Sequence, residues 1–215
     1  MITNSQVFKH FHDLGTNASF IDKLKIRFRP LICPFDDLLN EIEDKEIVFD
    51  IGCGSGQFLS LVAEFTEVSE LYGIEIDQRL IDNANILLDK YRNTNRLVLL
   101  ERFDGTSFPL TLSKATTVVL IDVVHHVPEA QLDNFIEGIY SKMKPGAKLI
   151  FKDINASSPL VLFNKLHDLV FSQEIGNELS ITQAKEKMLK AGFKIVLESK
   201  KRMYVYPHYT LILQK

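Results

Sequence analysis

The chain has 215 residues, 46% hydrophobic and 25% charged, a globular composition with room for one domain and a small appendage. Its net charge of -3 offers no basic surplus for gripping DNA, and no apolar run approaches the roughly 18 residues of a membrane span. Residues 1–6 lack the basic and apolar regions of a signal peptide, and two cysteines, Cys33 and Cys53, are too few for a disulfide framework or a four-thiolate zinc site, so a reduced, cytoplasmic protein is expected.

Residues 1–45 precede the first strand and read as an N-terminal helical cap. Ile47-Val48-Phe49-Asp50-Ile51 is a short apolar run that stops at glycines, as a buried parallel strand does. Phe58, Leu59, Leu61, Val62 and Phe65 then recur at helical spacing. Residues 71–75 read as a second strand, and Leu80, Ile81, Ala84, Leu87 and Leu88 mark a second helix with Asp77 as its N-cap. Residues 96–100 and 116–121 are the third and fourth strands. A helix over 129–142 is opened by Pro128 and closed by Lys144-Pro145-Gly146, and residues 148–151 form the fifth strand.

Residues 154–180 are longer than an ordinary connection and suit a lid or a peripheral packing helix, with Phe163, Leu166, Leu169, Val170 and Phe171 on its apolar face. A helix over 184–189 stops at Gly192. Residues 193–199 and 210–213 are two further strands, joined through Tyr206-Pro207-His208 as an antiparallel hairpin. The expected fold is α/β: a Rossmann-like, doubly wound seven-stranded sheet, parallel except for an antiparallel last strand, with helical lid segments. One domain over 1–215 is expected, with a cap (1–45), a cofactor-binding core (46–153), a candidate lid (154–180) and a C-terminal helix and hairpin (181–215).

Asp50-Ile51-Gly52-Cys53-Gly54-Ser55-Gly56-Gln57 follows a strand and opens a helix, the context in which a glycine turn lets backbone N–H groups approach a ligand. Its spacing, G-x-G-x-G, misses the dinucleotide fingerprint by one residue, and no Lys-Ser/Thr pair makes it a P-loop. Asp50, Glu75, Asp104 and Asp122 all fall at or just beyond strand C-termini, where open α/β sheets bind ligands. Four carboxylates suit a ligand with hydroxyls, an amine or a positive charge.

The runs Val48–Gly56, Gly73-Ile74-Glu75-Ile76-Asp77, Phe103-Asp104-Gly105, Ile121–Pro128 and Met143–Ala147 together resemble the class I S-adenosylmethionine-dependent methyltransferase family over residues 47–153. The resemblance implies S-adenosylmethionine as cofactor, with Asp50, Gly52, Cys53, Gly54, Gly56, Glu75, Ile76, Asp104, Gly105 and Asp122 around it. Gly52 and Gly54 would let the backbone approach the methionine moiety and Asp50 would orient its amino group. Glu75 would accept both ribose hydroxyls, Ile76 would pack on adenine, Asp104 would accept from the adenine amino group beside Gly105, and Asp122 would lie near the reacting methyl. For Asp50 and Asp122 the alternative is capping of adjacent turns.

Methyl transfer by in-line displacement needs a base only when the nucleophile arrives protonated. Candidates are His125, His126, Asp153, His10 and His12, with His126 and His125 foremost; one of that pair should face the pocket and the other the outside. Arg27 and Arg29 could bind a carboxylate or phosphate of the substrate, or form a solvated basic face. Tyr204, Tyr206, His208 and Tyr209 suit hairpin packing, an acceptor pocket or a subunit contact. No carboxylate–histidine spacing supports a metal site. The modest covering segments favour a small-molecule acceptor with an O-, C- or N-nucleophile, such as a quinone precursor or lipid-like metabolite. An RNA or protein methyltransferase, or a non-catalytic S-adenosylmethionine-binding protein, stays open.

Overall fold

The computed structural model describes residues 1–13, 29–94, 96–157 and 177–215. Seven strands form one sheet in the order β3-β2-β1-β4-β5-β7-β6. The chain divides into two compact units, Met1–Thr117 and Val118–Lys215.

In the first unit, α1 (Asn4–Asp13) and α2 (Phe35–Asn40) belong to the expected cap. Val7 and Phe11 lie one turn apart on α1 and are both buried. Phe11 meets the Phe35 ring at 6.0 Å, and Phe35 stacks at 6.0 Å on Phe58 of α3 (Gln57–Phe65). β1 (Ile47–Ile51), β2 (Glu70–Glu75) and β3 (Leu97–Arg102) run parallel, with Asp50 beside Gly73 and Glu75 beside Arg102. The α4 helix (Gln78–Arg92) starts where expected, since the Asp77 side chain accepts from Arg79 N at 2.8 Å. Gly73 sits in mid-strand because a Cβ there would lie 3.0 Å from Cys53 Sγ and 2.9 Å from Leu100 Cδ2.

In the second unit, β4 (Thr117–Ile121), which begins at the boundary, is buried throughout. After a 3-10 turn over Val124–His126 come α5 (Glu129–Lys142) and β5 (Lys148–Ile154). The last helix, α6 (Ile181–Ala191), starts three residues earlier than its apolar pattern indicates, because Ser180 and Gln183 form a reciprocal capping box. Gly192 ends it with φ 107°, and a Cβ there would strike Tyr140 Cζ at 2.8 Å.

β7 (Tyr206–Gln214) is antiparallel to both β5 and β6 (Lys194–Met203), so it is the one strand running against the others. The sequence reading treats Tyr206-Pro207-His208 as the hairpin connection; in the structure these residues open β7, and the turn is Tyr204-Val205 with Tyr204 at φ 54°. Pro207 is tolerated because it pairs with Arg202 past the point where β5 ends at Ile154↔His208. Its carbonyl instead accepts from Asn155 N at 2.8 Å.

Candidate functional site

The glycine turn closes β1 in the first unit. Gly52, Gly54 and Gly56 all have positive φ (74°, 52° and 77°), a conformation that disfavours any side chain. Gly52 N and Cys53 N both donate to Ile74 O, at 2.8 and 3.0 Å, which pins the turn to β2. A Cβ on Gly56 would lie 3.0 Å from Ala84 Cβ, so this glycine serves helix packing. A Cβ on Gly54 would meet nothing within 4 Å, so this glycine faces open space.

Glu75 joins the turn to the end of β2. Its Oε2 accepts from Gly54 N at 3.0 Å, and its Oε1 accepts from Ile76 N at 2.8 Å and Asp77 N at 3.2 Å. Three backbone donors thus fix an acidic group at the rim of the open space. Beside it Ile76 is 59% exposed, an apolar side chain that the fold leaves uncovered.

Asp50 is buried at the other side of the turn. Burial pushes its carboxyl up to about 8, with the Arg29 guanidinium pulling down and the Glu75 carboxylate adding to the rise. Arg29 therefore acts on the buried carboxyl that ends β1; Arg27 lies outside the described residues. Cys53 is a buried, free thiol, held well above its ordinary range by burial and by Asp50 and Glu75. Cys33 is likewise buried and free.

Asp104 caps its own turn. Its Oδ1 accepts from Ser107 N at 2.6 Å, Thr106 N at 2.7 Å and Thr106 Oγ1 at 3.1 Å. These backbone donors hold the carboxyl well below the ordinary range. The Asp-Gly-Thr-Ser run carries that turn signal in the sequence. Gly105 next to it has φ 91°, with nothing within 4 Å of an added Cβ.

In the second unit, Asp122 stands just past β4 at φ 55°, a strained conformation for a non-glycine residue. It is clamped to Lys152 twice: Asp122 N donates to Lys152 O at 3.0 Å, and Lys152 Nζ donates to Asp122 Oδ1 at 2.5 Å. Lys152 is completely buried in β5, so its charge requires that carboxylate. The sequence gives no sign of it, because a lysine after Leu149-Ile150-Phe151 reads as the end of a strand.

The two candidate histidines differ in burial. His125 is buried and its Nδ1 lies 2.6 Å from Asp153 Oδ1, while His126 is exposed with its ring centroid 4.2 Å from that of His125. Asp153 is 1% exposed, and its Oδ1 also accepts from Ile154 N at 2.8 Å. Tyr209, directly across from Asp153 on β7, is fully buried, and burial with the Asp153 and Asp122 charges drives its phenol far up. His10, another candidate base, belongs to the first unit, where its ring is 3.4 Å from Ser60 Oγ and 3.8 Å from Glu64. The apolar helix read over 163–171 lies outside the described residues. Among the described residues, no group of three or more His, Cys, Asp or Glu side chains is placed to hold a metal ion, and no helix is long and apolar enough to cross a membrane.

A family model described as a methyltransferase domain matches residues 24–198. A protein-lysine N-methyltransferase of Saccharolobus islandicus is 26% identical over 112 residues, covering 51% of this chain and 63% of the relative. A sterol 24-C-methyltransferase of Pneumocystis carinii is 25% identical over 166 residues, covering 72% of this chain and 41% of the relative. The chain therefore spans less than two thirds of these relatives' own length. Among solved structures, the magnesium protoporphyrin IX methyltransferase of Synechocystis PCC 6803, with S-adenosylhomocysteine bound, superposes with a TM-score of 0.70 at 16% identity, covering 98% of this chain and 94% of that one. At that identity the likeness is one of fold.

Proposed function

The chain belongs to the class I S-adenosylmethionine-dependent methyltransferase family, and on that premise we propose that it carries the methyl group of S-adenosylmethionine, its cofactor, to a small-molecule acceptor in the cytoplasm. The observation that carries this reading is the contact of Gly54 N with Glu75 Oε2 at 3.0 Å beside a glycine whose missing side chain leaves open space. It sets a fixed carboxylate next to room for a ligand, as a nucleoside with a free ribose diol requires.

The arrangement of these residues supports the assignment. A carboxylate offers about four acceptor positions, and three of Glu75's are in use. The spare position and the one held by the longest bond, from Asp77 N at 3.2 Å, would take the two ribose hydroxyls. Ile76 would cover the adenine face. Asp104, with Oδ1 occupied by its own turn, would offer Oδ2 to an exocyclic amine beside Gly105. Asp50 would take up the cofactor's ammonium group, and Arg29 beside it supplies the opposite charge for an acidic group. When bound, the sulfonium supplies an activated methyl group; the protein has only to place the nucleophile and exclude water.

A small acceptor is supported by the porphyrin and sterol named for two similar proteins. A protein acceptor is the second reading, favoured by the lysine methyltransferase among the relatives. Labelled S-adenosylmethionine incubated with the protein and a fractionated extract separates them: label is expected in the low-molecular-mass fraction. Label confined to protein or RNA would overturn the small-acceptor reading.

A further inference from the structure

The net charge of -3 hides an uneven distribution: residues 181–215 hold eight Lys and Arg against two acids, Glu186 and Glu198. Four of those cations, Lys194, Lys200, Lys201 and Arg202, fall on β6, the last strand of the sheet among the described residues. Lys194, Lys200 and Arg202 are exposed. The single acid on the strand, Glu198, is already bridged to Lys185 of α6 at 2.8 Å and lies 3.6 Å from Lys200. It therefore offsets little of the charge along the rest of the strand. All of these groups lie in the second unit.

The same strand leaves apolar side chains in water, with Val196 63% and Leu197 49% exposed. The pairing register shifts between Ile195 and Leu197, so Val196 is an extra residue that bulges from the ladder. A bulge and a row of lysines are the devices that stop an edge strand from accepting another strand. Sheet extension by a second copy is therefore not what these side chains serve. The turn repeats the pattern. Tyr204 is 72% exposed and held at φ 54°, at the first position of a two-residue turn, where glycine would be free of strain. A tyrosine at that tip costs backbone energy and presents an aromatic ring to the surroundings.

From this combination we propose that β6 and the turn into β7 dock the protein on the surface of an anionic lipid bilayer. Charge alone would suit any polyanion; the apolar residues select among them. Aliphatic side chains gain nothing from phosphates, and single-stranded nucleic acid is held by aromatic rings in series, of which β6 and the turn offer only Tyr204. A bilayer matches both features. Anionic headgroups add about fivefold in affinity for each nearby Lys or Arg. The boundary between headgroups and acyl chains takes up Val196 and Leu197, and a tyrosine sits well at headgroup level. The attachment is peripheral and is screened by salt. It does not depend on the methyl-transfer reading.

The test is sedimentation of the full chain with vesicles of phosphatidylcholine alone, or of phosphatidylcholine mixed equally with phosphatidylglycerol. Binding is expected to the mixed vesicles only, and it should weaken steeply as salt rises. Replacing three cations together, Lys194→Gln with Lys200→Gln and Arg202→Gln, should lower the affinity roughly 100-fold. Val196→Thr with Leu197→Thr keeps strand-forming residues and should lower it about tenfold. The chain has no tryptophan, so Tyr204→Trp supplies a single reporter whose emission should shift to the blue on mixed vesicles. Ile86→Trp, on an exposed position of α4 in the first unit, should show no shift. No binding to mixed vesicles, wild-type binding by the triple variant, or a shift in Ile86→Trp would each overturn the proposal. Binding to polyuridylate but not to mixed vesicles would make the strand a nucleic-acid surface and overturn it too. So would self-association without vesicle binding that Val196→Thr with Leu197→Thr abolishes. S-adenosylhomocysteine binding on the same samples is a separate readout: its absence would refute the methyltransferase reading and leave the vesicle result standing.

Discussion

Cofactor affinity should depend on pH through Asp50. Its carboxyl sits near 8 in the folded protein because burial disfavours the charge. If the ionised form takes up the cofactor's ammonium group, binding below pH 8 must expel a proton. Each pH unit then contributes about 1.4 kcal/mol. Between pH 6 and pH 8 the affinity for S-adenosylhomocysteine should rise by about 2.3 kcal/mol, roughly fiftyfold, since half of the carboxyl is already ionised at pH 8. Calorimetry at pH 6, 7 and 8, repeated in buffers of different ionisation heat, measures both the affinity and the protons released. Asp50→Asn should bind weakly with a flat profile. A flat wild-type profile, or binding without proton release at pH 6.5, would refute the reasoning. The same group shapes stability with a definite sign. The unfolded chain ionises Asp50 near 3.8 and the folded chain near 8, so the unfolded state binds fewer protons between those values. The contribution is fully present below about pH 4 and is lost as pH rises to about 8; Asp50→Asn should remove that slope in urea titrations.

Glu75→Gln replaces one carboxylate oxygen by a donor, which must face Gly54 N or the Ile76 and Asp77 amides. At about 1–3 kcal/mol for a lost charge-assisted bond, S-adenosylhomocysteine binding should weaken roughly 10–100-fold by calorimetry, and an unchanged constant would remove Glu75 from the cofactor site. The glycines separate binding from folding. Gly54→Ala meets nothing within 4 Å, so it should carry only the left-handed backbone strain of about 1–2 kcal/mol while losing cofactor affinity. Gly56→Ala at φ 77° carries the same backbone strain and also brings a methyl 3.0 Å from Ala84 Cβ, so it should cost about 1–3 kcal/mol more stability than Gly54→Ala by denaturant melts. Equal behaviour of the two variants would contradict the division of labour drawn from the turn.

Much of this was legible because it is local. The β1 run, the glycine turn and the acid that ends β2 lie within 30 residues, and caps such as Asp77 and Gly192 act on their own helices. What escaped depends on partners distant in sequence. Lys152 can be buried only because Asp122, 30 positions earlier, meets it. Which histidine turns inward is settled by the 3-10 turn over Val124–His126 and by Asp153, 28 positions away. Gly73 reads as an ordinary strand residue until the Cys53 sulfur occupies the place of its side chain. Pro207 reads as a chain break until its register, beyond the end of β5, shows that no donor is missed. In Asp104 both roles compete for one side chain, and the turn signal in Asp-Gly-Thr-Ser takes one oxygen.

The place of β7 bears on how the second unit assembles. This strand comes after β5 and β6 in sequence yet lies between them in the sheet. Among the described residues β6 has β7 as its strand neighbour, so it docks through β7. On a ribosome β5 therefore emerges with one edge open and waits for a hairpin closed by the short Tyr204-Val205 turn. Formation of that hairpin is local and fast, whereas its docking onto β5 bridges some fifty residues and sets the pace. Until then Leu149, Ile150 and Phe151 lie on a strand edge that lacks its antiparallel partner.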